Sequence, residues 1–388
     1  MSFLDIFGGK NPLAGKPVLD VEIPGLEKVG SGKVTVIFRA PDGKLIFIAT
    51  DRIGAFDQPH LTEDGKPAHY PGKGEILTAF NWWGKGAASA LVPTDYVPLK
   101  DYLNLIPAEL QYRASVHFPA NRRVDVEFVV RSSNEGSMTG KESICGQKLP
   151  LGLQLGQLLT RPFFTPTTKA PKGEKDKPLT LEEYTEVVGD KGLANYLYGI
   201  AVMLHLINRG MALARGLDRP DQKMEFGIFD PMAPIYKDGP IANRTRIDWT
   251  VEDASTIFSN LCVKAGFNHW AWKEMPLFDI ELFCQFAQKN YQSVRLVDEY
   301  GGTDDGRYRL LADTNRAREL MEGGDLEEAK IVMRRYLCKE YFRLASKQTG
   351  KGGYEEPAQQ AVVIPDKVLV ETGKRNLLAL QMLLGLEQ

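Results

Sequence analysis

The sequence predicts an α+β protein with a β-rich N-terminal part and a mixed, more helical second part. Residues 30–52 alternate apolar and polar side chains on either side of a Pro-Asp-Gly-Lys turn, which is the pattern of a β-hairpin. Helical periodicity covers most of 180–215 and 310–347. The short runs 223–227 and 294–299 alternate as strands do, so strands and helices are interspersed in the second part.

Composition is that of an ordinary globular protein and excludes several classes. The chain has 388 residues, 43% hydrophobic and 25% charged, with a formal net charge of -2. We therefore expect no nucleic-acid or membrane partner. The four cysteines form no CxxC pair, which disfavours a zinc site or a disulfide scaffold and fits a reducing, cytoplasmic location. The N-terminus lacks a secretory signal, and the apolar run 197–214 is interrupted by polar residues, which predicts a buried helix.

Residues 1–30 predict an arm packed on the body, followed by the hairpin. Its first strand opens with a Gly-Ser-Gly sequence and Lys33, and a glycine-rich entry followed by a lysine can fold over phosphates. The Walker A pattern is absent, so a hairpin with a solvated lysine is the alternative. Residues 49–57 predict a strand that runs into a polar loop, and 71–78 predict a loop that leads into a helix continuing through Trp82 and Trp83. These tryptophans are expected in the core or between domains.

Val124–Val130 predicts another strand, which ends at Arg131 and a small polar loop containing Ser137. A guanidinium together with hydroxyl and backbone donors can cradle a phosphate or a carboxylate. The alternative is an arginine paired with a neighbouring acid. The Lys- and Pro-rich residues 171–178 predict a surface loop.

The strand 223–227 places Lys223 and Glu225 on one face and apolar residues on the other. The run 294–299 predicts a second strand that ends in two acids, the first of which is Asp298. If both strands bring Glu225 and Asp298 to the same end of a sheet, their carboxylates suit Mg²⁺, with Lys223 beside them for phosphate. An exposed strand edge with solvated charges is the alternative.

Residues 228–293 are long for a connection between strands, so we predict an inserted helical subdomain there, with helices over 251–265 and 277–291. Its aromatic residues are expected to form a small core of their own. Helices then follow from 310 to 347, and a last helix is expected over 366–386.

Several segments together resemble one family. They are ATDRIGAFD, Lys73-Gly74-x-x-Leu-Thr, VEFVVRSSNEGS, FTPTTKA, DQKMEFG and LVDE, in that order. Their order and character are similar to those of phosphoribosylaminoimidazole-succinocarboxamide synthase (SAICAR synthetase), and the closing IPDKVLVETGKRNLLALQMLLG resembles that family's C-terminal helix. The resemblance covers roughly 30–227 and 295–386.

The resemblance implies a two-lobed α+β fold that closes over ATP. A β-rich N-terminal lobe would occupy 31–125 and an α+β second lobe 126–388, with 228–293 inserted in the second. The family joins 4-carboxy-5-aminoimidazole ribonucleotide (CAIR) to L-aspartate through an acyl phosphate, giving SAICAR, ADP and phosphate in purine biosynthesis. ATP, Mg²⁺ and two small-molecule substrates are therefore expected, and the oligomeric state stays open.

The resemblance also implies roles for individual residues. Lys33 would contact the ATP phosphates, Glu225 and Asp298 would hold Mg²⁺, Lys223 would lie by the transferring phosphoryl group, and Asp221 would lie close to the nucleotide or metal. The expected substrate-binding residues are Arg131, Ser137, Arg307, Lys73 and Asp57.

Some positions depart from the family pattern. Gly54 replaces a serine, Thr35 replaces a basic residue, Lys175 replaces a histidine, the loop 301–307 is one residue longer and lacks a serine pair, and 217–220 is polar where the family has an apolar strand. These changes fall mainly where the ribonucleotide and amino acid would bind. The alternative is therefore a sister ligase that uses another carboxylate and amine in a specialised nucleoside or nucleobase-modification pathway. The absence of an HRD-like loop argues against a kinase-like transferase, and a non-catalytic nucleotide-binding module is the remaining alternative.

Overall fold

The computed structural model describes residues 3–55, 60–169, 176–235, 249–337, 339–348 and 361–386. Asp57 and Lys175, both discussed above, lie outside the described residues, as does Cys338.

The α-helices of the described residues are, in chain order, α1 (Lys73–Ala88), α2 (Leu181–Val188), α3 (Lys191–Leu213), α4 (Val251–Lys264), α5 (Ile280–Asn290), α6 (Leu311–Glu322), α7 (Leu326–Met333), α8 (Lys339–Gln348) and α9 (Asp366–Leu384). The strands are β1 (Glu27–Ser31), β2 (Thr35–Arg39), β3 (Leu45–Ala49), β4 (His60–Leu61), β5 (Tyr96–Val97), β6 (Ala114–His117), β7 (Arg122–Arg123), β8 (Val126–Ser133), β9 (Ser143–Ile144), β10 (Gln147–Lys148), β11 (Leu158–Phe164), β12 (Thr167–Thr168), β13 (Leu217–Asp218), β14 (Asp221–Ile228), β15 (Val294–Val297), β16 (Arg309–Leu310) and β17 (Val362–Val363).

The N-terminal part is an antiparallel sheet in the order β1-β2-β3-β6-β5. The predicted hairpin is confirmed as β2 and β3, whose inward-facing side chains Val36, Phe38, Ile46 and Ile48 are fully buried. The glycine-rich segment differs from the prediction, because its first two residues already belong to β1. Lys33 is therefore in the turn between β1 and β2.

The second part is built on the strand order β11-β8-β14-β15, and the two acid-bearing strands are direct neighbours. β14 and β15 are antiparallel with Glu225 opposite Val297, and β14 and β8 are antiparallel with Asp221 opposite Arg131. The apolar face of this sheet packs on α3, which begins at the N-cap Asp190 and is buried over most of its length. The predicted α+β class and the predicted buried helix are both confirmed.

The region 228–293 contains the predicted helices as α4 and α5, but its aromatic residues do not form a separate core. Trp249, Phe258 and Phe283 are buried in the same cluster as α3 and the second sheet. Gly199 of α3 explains the close fit, since a Cβ atom at that position would lie 2.6 Å from the Phe283 ring. The expectation of an independent core was wrong because α3 is apolar on two sides and needs these helices to cover it.

The helix α1 connects the two parts. Its Trp83 is buried in a cluster with Tyr70 and the C-terminal helix α9, whereas Trp82 is exposed. Gly84 of α1 lies directly against the carbonyl of Tyr300, so the loop after β15 is held on α1. In the described part of the chain, no helix combines the length and apolar character that crossing a membrane requires.

His205 in α3 predicts a pH-dependent stability. It is fully buried, its Nε2 lies 2.6 Å from Ser132 Oγ, and burial together with Arg209 and Arg219 lowers its pKa to about 3. When the pH falls below 6.5, the ordinary pKa of histidine, this residue binds a proton in the unfolded chain but stays neutral in the folded chain. The free energy of unfolding therefore falls as the pH falls. At pH 5 the loss from this residue is about 2 kcal/mol.

Urea unfolding at pH 7.5 and pH 5 measures this effect. We expect His205→Leu to reduce the difference between the two pH values by about 2 kcal/mol. His269→Gln, at an exposed position, is the control and should leave the difference unchanged. Equal pH dependence in wild type and His205→Leu would contradict the assignment.

Candidate active site

The carboxylates of Glu225 and Asp298 lie together where β15 ends, because Glu225, in the middle of β14, is opposite the last residue of β15. Their carboxyl groups share a hydrogen bond, and Asp298 is open to a cleft while Glu225 is buried. Asp298 has a φ of 57°, a left-handed conformation that is uncommon outside glycine and is often found at functional sites. The predicted juxtaposition of these two acids is confirmed, and their role as metal ligands stays a prediction.

Two lysines balance the charge of this pair. Lys223 lies 2.9 Å from Glu127 and 3.4 Å from Glu225, and Lys169 forms ion pairs with the same two glutamates. Burial opposes ionisation, but Glu225, Glu127 and Asp298 raise the pKa of Lys223. Burial likewise opposes ionisation of Glu225, but Lys223 and Lys169 lower its pKa to about 2. Partial desolvation inside the cleft and the charge of Glu225 raise the pKa of Asp298 to about 6.

Lys169 and Glu127 are site residues that the sequence analysis missed. Both stood in segments that resembled the family, FTPTTKA and VEFVVRSSNEGS. The sequence also gives a signal for Glu127, because it lies four residues before Arg131 on β8 and the two side chains are therefore on the same face of the sheet. The neighbouring strand β12 then brings Lys169 to the same face, since Thr167 pairs with Glu127.

A cleft separates the N-terminal sheet from this acidic end of the second sheet. It contains about 390 Å³ of space, including solvent at its mouth. Its lining residues come from the N-terminal sheet, α1 and the end of β15, and they are Thr35, Phe47, Ala49, Leu77, Thr78, Asn81, Tyr96, Ser115, His117, Asp298 and Glu299. Lys33 lies two residues before Thr35, in the turn at the edge of the N-terminal sheet. Its contact with a phosphate stays a prediction.

Arg131 and Arg307 form a second, basic part of the site. Arg131 lies 3.3 Å from Asp221 and donates to Ser137 Oγ at 3.0 Å, and Arg307 forms an ion pair with the same aspartate. Only glycine lets the Arg307 guanidinium group pack against residue 136. Gly136 has a φ of 60°, and a Cβ atom there would lie 2.7 Å from an Arg307 guanidinium nitrogen. Ser137 is exposed, so its hydroxyl is accessible to an anion held by the arginines.

The contacts of Asp221 are with these arginines. Burial opposes its ionisation, but Arg307 and Arg131 lower its pKa, so it is a carboxylate that holds both guanidinium groups in place. Asp221 shares the face of β14 with Lys223, two residues along the strand. Its predicted place close to the nucleotide or metal stays a prediction.

Lys73 is fully buried, and its ammonium group lies 3.1 Å from Asp304 in the loop after β15. Lys339 of α8 also approaches Asp304, at 3.6 Å. Beside this group, burial and the charges of Asp304 and Asp298 raise the pKa of Glu299 to about 8. Lys73 thus holds the loop that carries the site acids, and a direct contact of Lys73 with substrate stays a prediction.

The polar segment 217–220 is buried and forms ion pairs. Asp218 lies 2.5 Å from Arg209 and 2.8 Å from Arg309, and Arg219 lies 2.6 Å from Asp305. Arg309 also pairs with Glu135, which precedes the Gly-Ser turn of the basic site. These pairs hold β13 and the 301–307 loop behind the arginines.

The donor set of the acidic end fits Mg²⁺. Within the described ranges, no group of three or more His, Cys, Asp or Glu side chains is arranged to hold a metal ion. Mg²⁺ does not need such a cage, because it binds through one or two carboxylates and completes its shell with water and substrate phosphates. Glu225 and Asp298 supply such a pair, and Asp298 lies in the wall of the cleft.

Comparison with known proteins agrees with this geometry. A family model described as SAICAR synthetase matches residues 28–236. The chain is 31% identical over 250 residues to a phosphoribosylaminoimidazole-succinocarboxamide synthase from Maridesulfovibrio salexigens, which covers 61% of this chain and 79% of that protein. It is 35% identical over 222 residues to the synthase of that name from Leifsonia xyli, covering 53% and 71%.

The fold is similar to that of a solved SAICAR synthase from Saccharomyces cerevisiae in complex with SAICAR. The TM-score is 0.62 at 20% sequence identity, and the superposition covers 96% of this chain and 99% of the yeast chain. This likeness supports the two-part α+β architecture.

Proposed function

This chain belongs to the SAICAR synthetase family, and we propose that it joins the carboxylate of CAIR to the amine of L-aspartate at the expense of ATP. The enzyme is then a carbon–nitrogen ligase of purine biosynthesis whose products are SAICAR, ADP and phosphate. The observation that carries the proposal is the meeting of Glu225 and Asp298 beside two lysines, with the basic Arg131–Arg307 site on the same sheet face.

The reaction needs ATP because a carboxylate has no leaving group. A carboxylate oxygen attacks the γ-phosphorus of ATP, the bond between that phosphorus and the β-phosphate oxygen breaks, and ADP departs. The product is an acyl phosphate. The aspartate nitrogen then attacks its carbonyl carbon, a carbon–nitrogen bond forms, phosphate departs with one former carboxylate oxygen, and the amine loses its proton.

The residues at the acidic end suit the first step. Mg²⁺ bound at Glu225 and Asp298 would neutralise phosphate charge as it develops. Lys223, already held between Glu127 and Glu225, would present its ammonium group to the transferring phosphoryl group, and Lys169 would add a second positive charge. Lys33 in the β1–β2 turn would cover the phosphates from the N-terminal sheet.

The basic site suits the ribonucleotide. Arg131 and Arg307 present guanidinium groups that pair with phosphate or carboxylate, and Ser137 adds an accessible hydroxyl. Because Asp221 fixes both arginines, the site is organised before substrate binds.

ADP release in the presence of CAIR and aspartate tests the proposal, with the product identified by mass. Omission of either substrate should abolish turnover. Turnover with another carboxylate and amine, and none with CAIR, would favour the sister ligase instead.

Arg307→Ala is expected to raise the KM for the ribonucleotide by about 30-fold, since it removes one charge-assisted contact of about 2 kcal/mol. The KM for ATP should change less than threefold, or roughly 0.6 kcal/mol. Arg316→Ala is the matched control, because Arg316 is exposed and pairs with Glu319 on α6. Equal increases in the KM for the ribonucleotide and the KM for ATP would contradict the assignment of Arg307 to the ribonucleotide site.

A further inference from the structure

The N-terminal wall of the cleft contains a buried chain of polar side chains that the chemistry above does not use. Asp95 forms an ion pair with Lys85 at 2.7 Å and a hydrogen bond with His117 Nδ1 at 2.9 Å. On the other side of the imidazole ring, Nε2 lies 2.8 Å from Ser115 Oγ. Ser115 and His117 are two residues apart on β6, and both line the cleft.

The charges at the buried end set the direction of each hydrogen bond. Burial raises the pKa of Asp95, but Lys85 and His117 outweigh burial and lower it to about 2, so this carboxylate only accepts. Burial lowers the pKa of His117, so the ring is neutral and carries one proton. That proton is on Nδ1, facing the carboxylate, and Nε2 therefore accepts a hydrogen bond from the Ser115 hydroxyl.

Neighbouring groups hold the ring in this orientation. The Phe47 ring of β3 lies 4.3 Å from the His117 ring between centroids, and the Tyr96 ring of β5 lies 4.9 Å away. The charged groups that act on His117 are Asp95 and Lys85, and Lys85 also lies over the Tyr96 ring. The backbone N–H of Asp95 donates to the carbonyl of Leu296 of β15, and the N–H of Leu296 donates to the carbonyl of Pro93. This wall is therefore fixed relative to the strand that leads to Asp298.

We propose that Ser115 reads the base of the nucleotide as a hydrogen-bond acceptor and so selects a 6-amino purine over a 6-oxo purine. This inference rests on the proposed function, in which the cleft holds ATP. The single hydroxyl hydrogen of Ser115 is donated to His117, so the oxygen offers only lone pairs to the cleft. The exocyclic amine of adenine donates to such an oxygen, whereas the carbonyl of hypoxanthine or guanine places one acceptor against another.

The rest of the wall suits a base. Phe47, Ala49 and Leu77 line the same cleft with apolar surface, which packs against a planar aromatic ring, while the acids lie where β15 ends. His117 acts through Ser115 and is a positioning residue, and Asp95 and Lys85 keep its proton on Nδ1.

Calorimetric binding of ADP and of IDP with Mg²⁺ tests the proposal, because the bases of the two ligands differ at the 6-position substituent that Ser115 would read. We expect wild type to bind ADP more tightly than IDP by about tenfold or more, and Ser115→Ala to reduce that ratio by about fivefold or more through weaker ADP binding. Thr78→Val is the matched control. Its hydroxyl also lines the cleft but is donated to the carbonyl of Gly74 at 2.9 Å, so the ratio should not change.

The variant His117→Phe distinguishes two roles for the His117 ring: orienting the Ser115 hydroxyl and filling space in the wall of the cleft. The substitution keeps a ring and leaves the Asp95–Lys85 pair in place, but it frees the Ser115 hydroxyl to turn and donate. The ADP to IDP ratio should then fall as it does in Ser115→Ala, although Ser115 is present. If the ring only filled space, the ratio would stay at the wild-type value.

A wild-type ratio near one, or a ratio that Ser115→Ala leaves unchanged, overturns the base-reading role and leaves the ligase proposal intact. Selective ADP binding without turnover of CAIR and aspartate would instead contradict the ligase proposal and leave the base-reading role intact.

Discussion

Glu225→Gln is expected to lower kcat/KM for the complete reaction by about 10³-fold, or roughly 4 kcal/mol. The substitution keeps the shape of the side chain but removes the charge that would hold the metal. It also leaves Lys169 and Lys223 with Glu127 as their remaining glutamate partner. Part of the loss should be recovered at high Mg²⁺ concentration, because the affinity for the ion falls while Asp298 is still present.

Asp125→Asn is the matched control for that experiment. Asp125 is exposed on the segment between β7 and β8, and its carboxylate pairs with Arg123 at 3.7 Å. Its backbone carbonyl, which the substitution keeps, accepts a hydrogen bond from the N–H of Lys169. Its kinetics should match wild type. If the Glu225→Gln enzyme has the Mg²⁺ dependence and the rate of wild type, Glu225 is not a metal ligand.

Lys223→Met should lower kcat by about 10²- to 10³-fold with little change in the KM for either substrate, because a charge placed where negative charge develops acts mainly in the transition state. Lys223 lies 2.9 Å from Glu127 and 3.4 Å from Glu225, so its loss also leaves two carboxylates close together. Single-turnover measurement of ADP formation isolates the affected step.

A double variant separates the two consequences of losing Lys223. Adding Glu127→Gln to Lys223→Met removes the repulsion between the glutamates without restoring the ammonium group. The double variant should stay as slow as Lys223→Met. Recovery to within about tenfold of wild type would show that Lys223 serves only to balance Glu127, since catalytic stabilisation by one donor is worth more than that.

The local patterns of the sequence predicted the elements of the site well because period-two alternation fixes which residues share a face of a strand. Lys223 and Glu225 could be placed together in this way, and Arg131 and Ser137 could be placed at the end of β8. The sequence does not predict that β14 pairs with β15; it only shows what would follow if they paired. The reason is that 65 residues lie between Ile228 and the start of β15 at Val294, and no local pattern indicates a contact over that distance.

Contacts between distant segments account for what was missed. Lys169 joins Glu225 through an ion pair across 56 positions, and Asp218 joins Arg309 across 91 positions. The polar sequence around Asp218 was a departure from an apolar strand, and only the fold shows that its charges are satisfied by buried arginines. The sequence predicts a separate core for the aromatic residues of 228–293, because it does not show that α3 has a second apolar side. In the structure these aromatic residues cover that side of α3.

Transfer of ¹⁸O from the carboxylate of CAIR is the most direct test that this cleft energises a carboxyl group with ATP. With both carboxylate oxygens labelled, one ¹⁸O should appear in each phosphate released and the other should remain in the amide of SAICAR, as detected by mass spectrometry. Phosphate without label in an enzyme that still forms product would contradict acyl phosphate formation at the site built around Glu225 and Asp298.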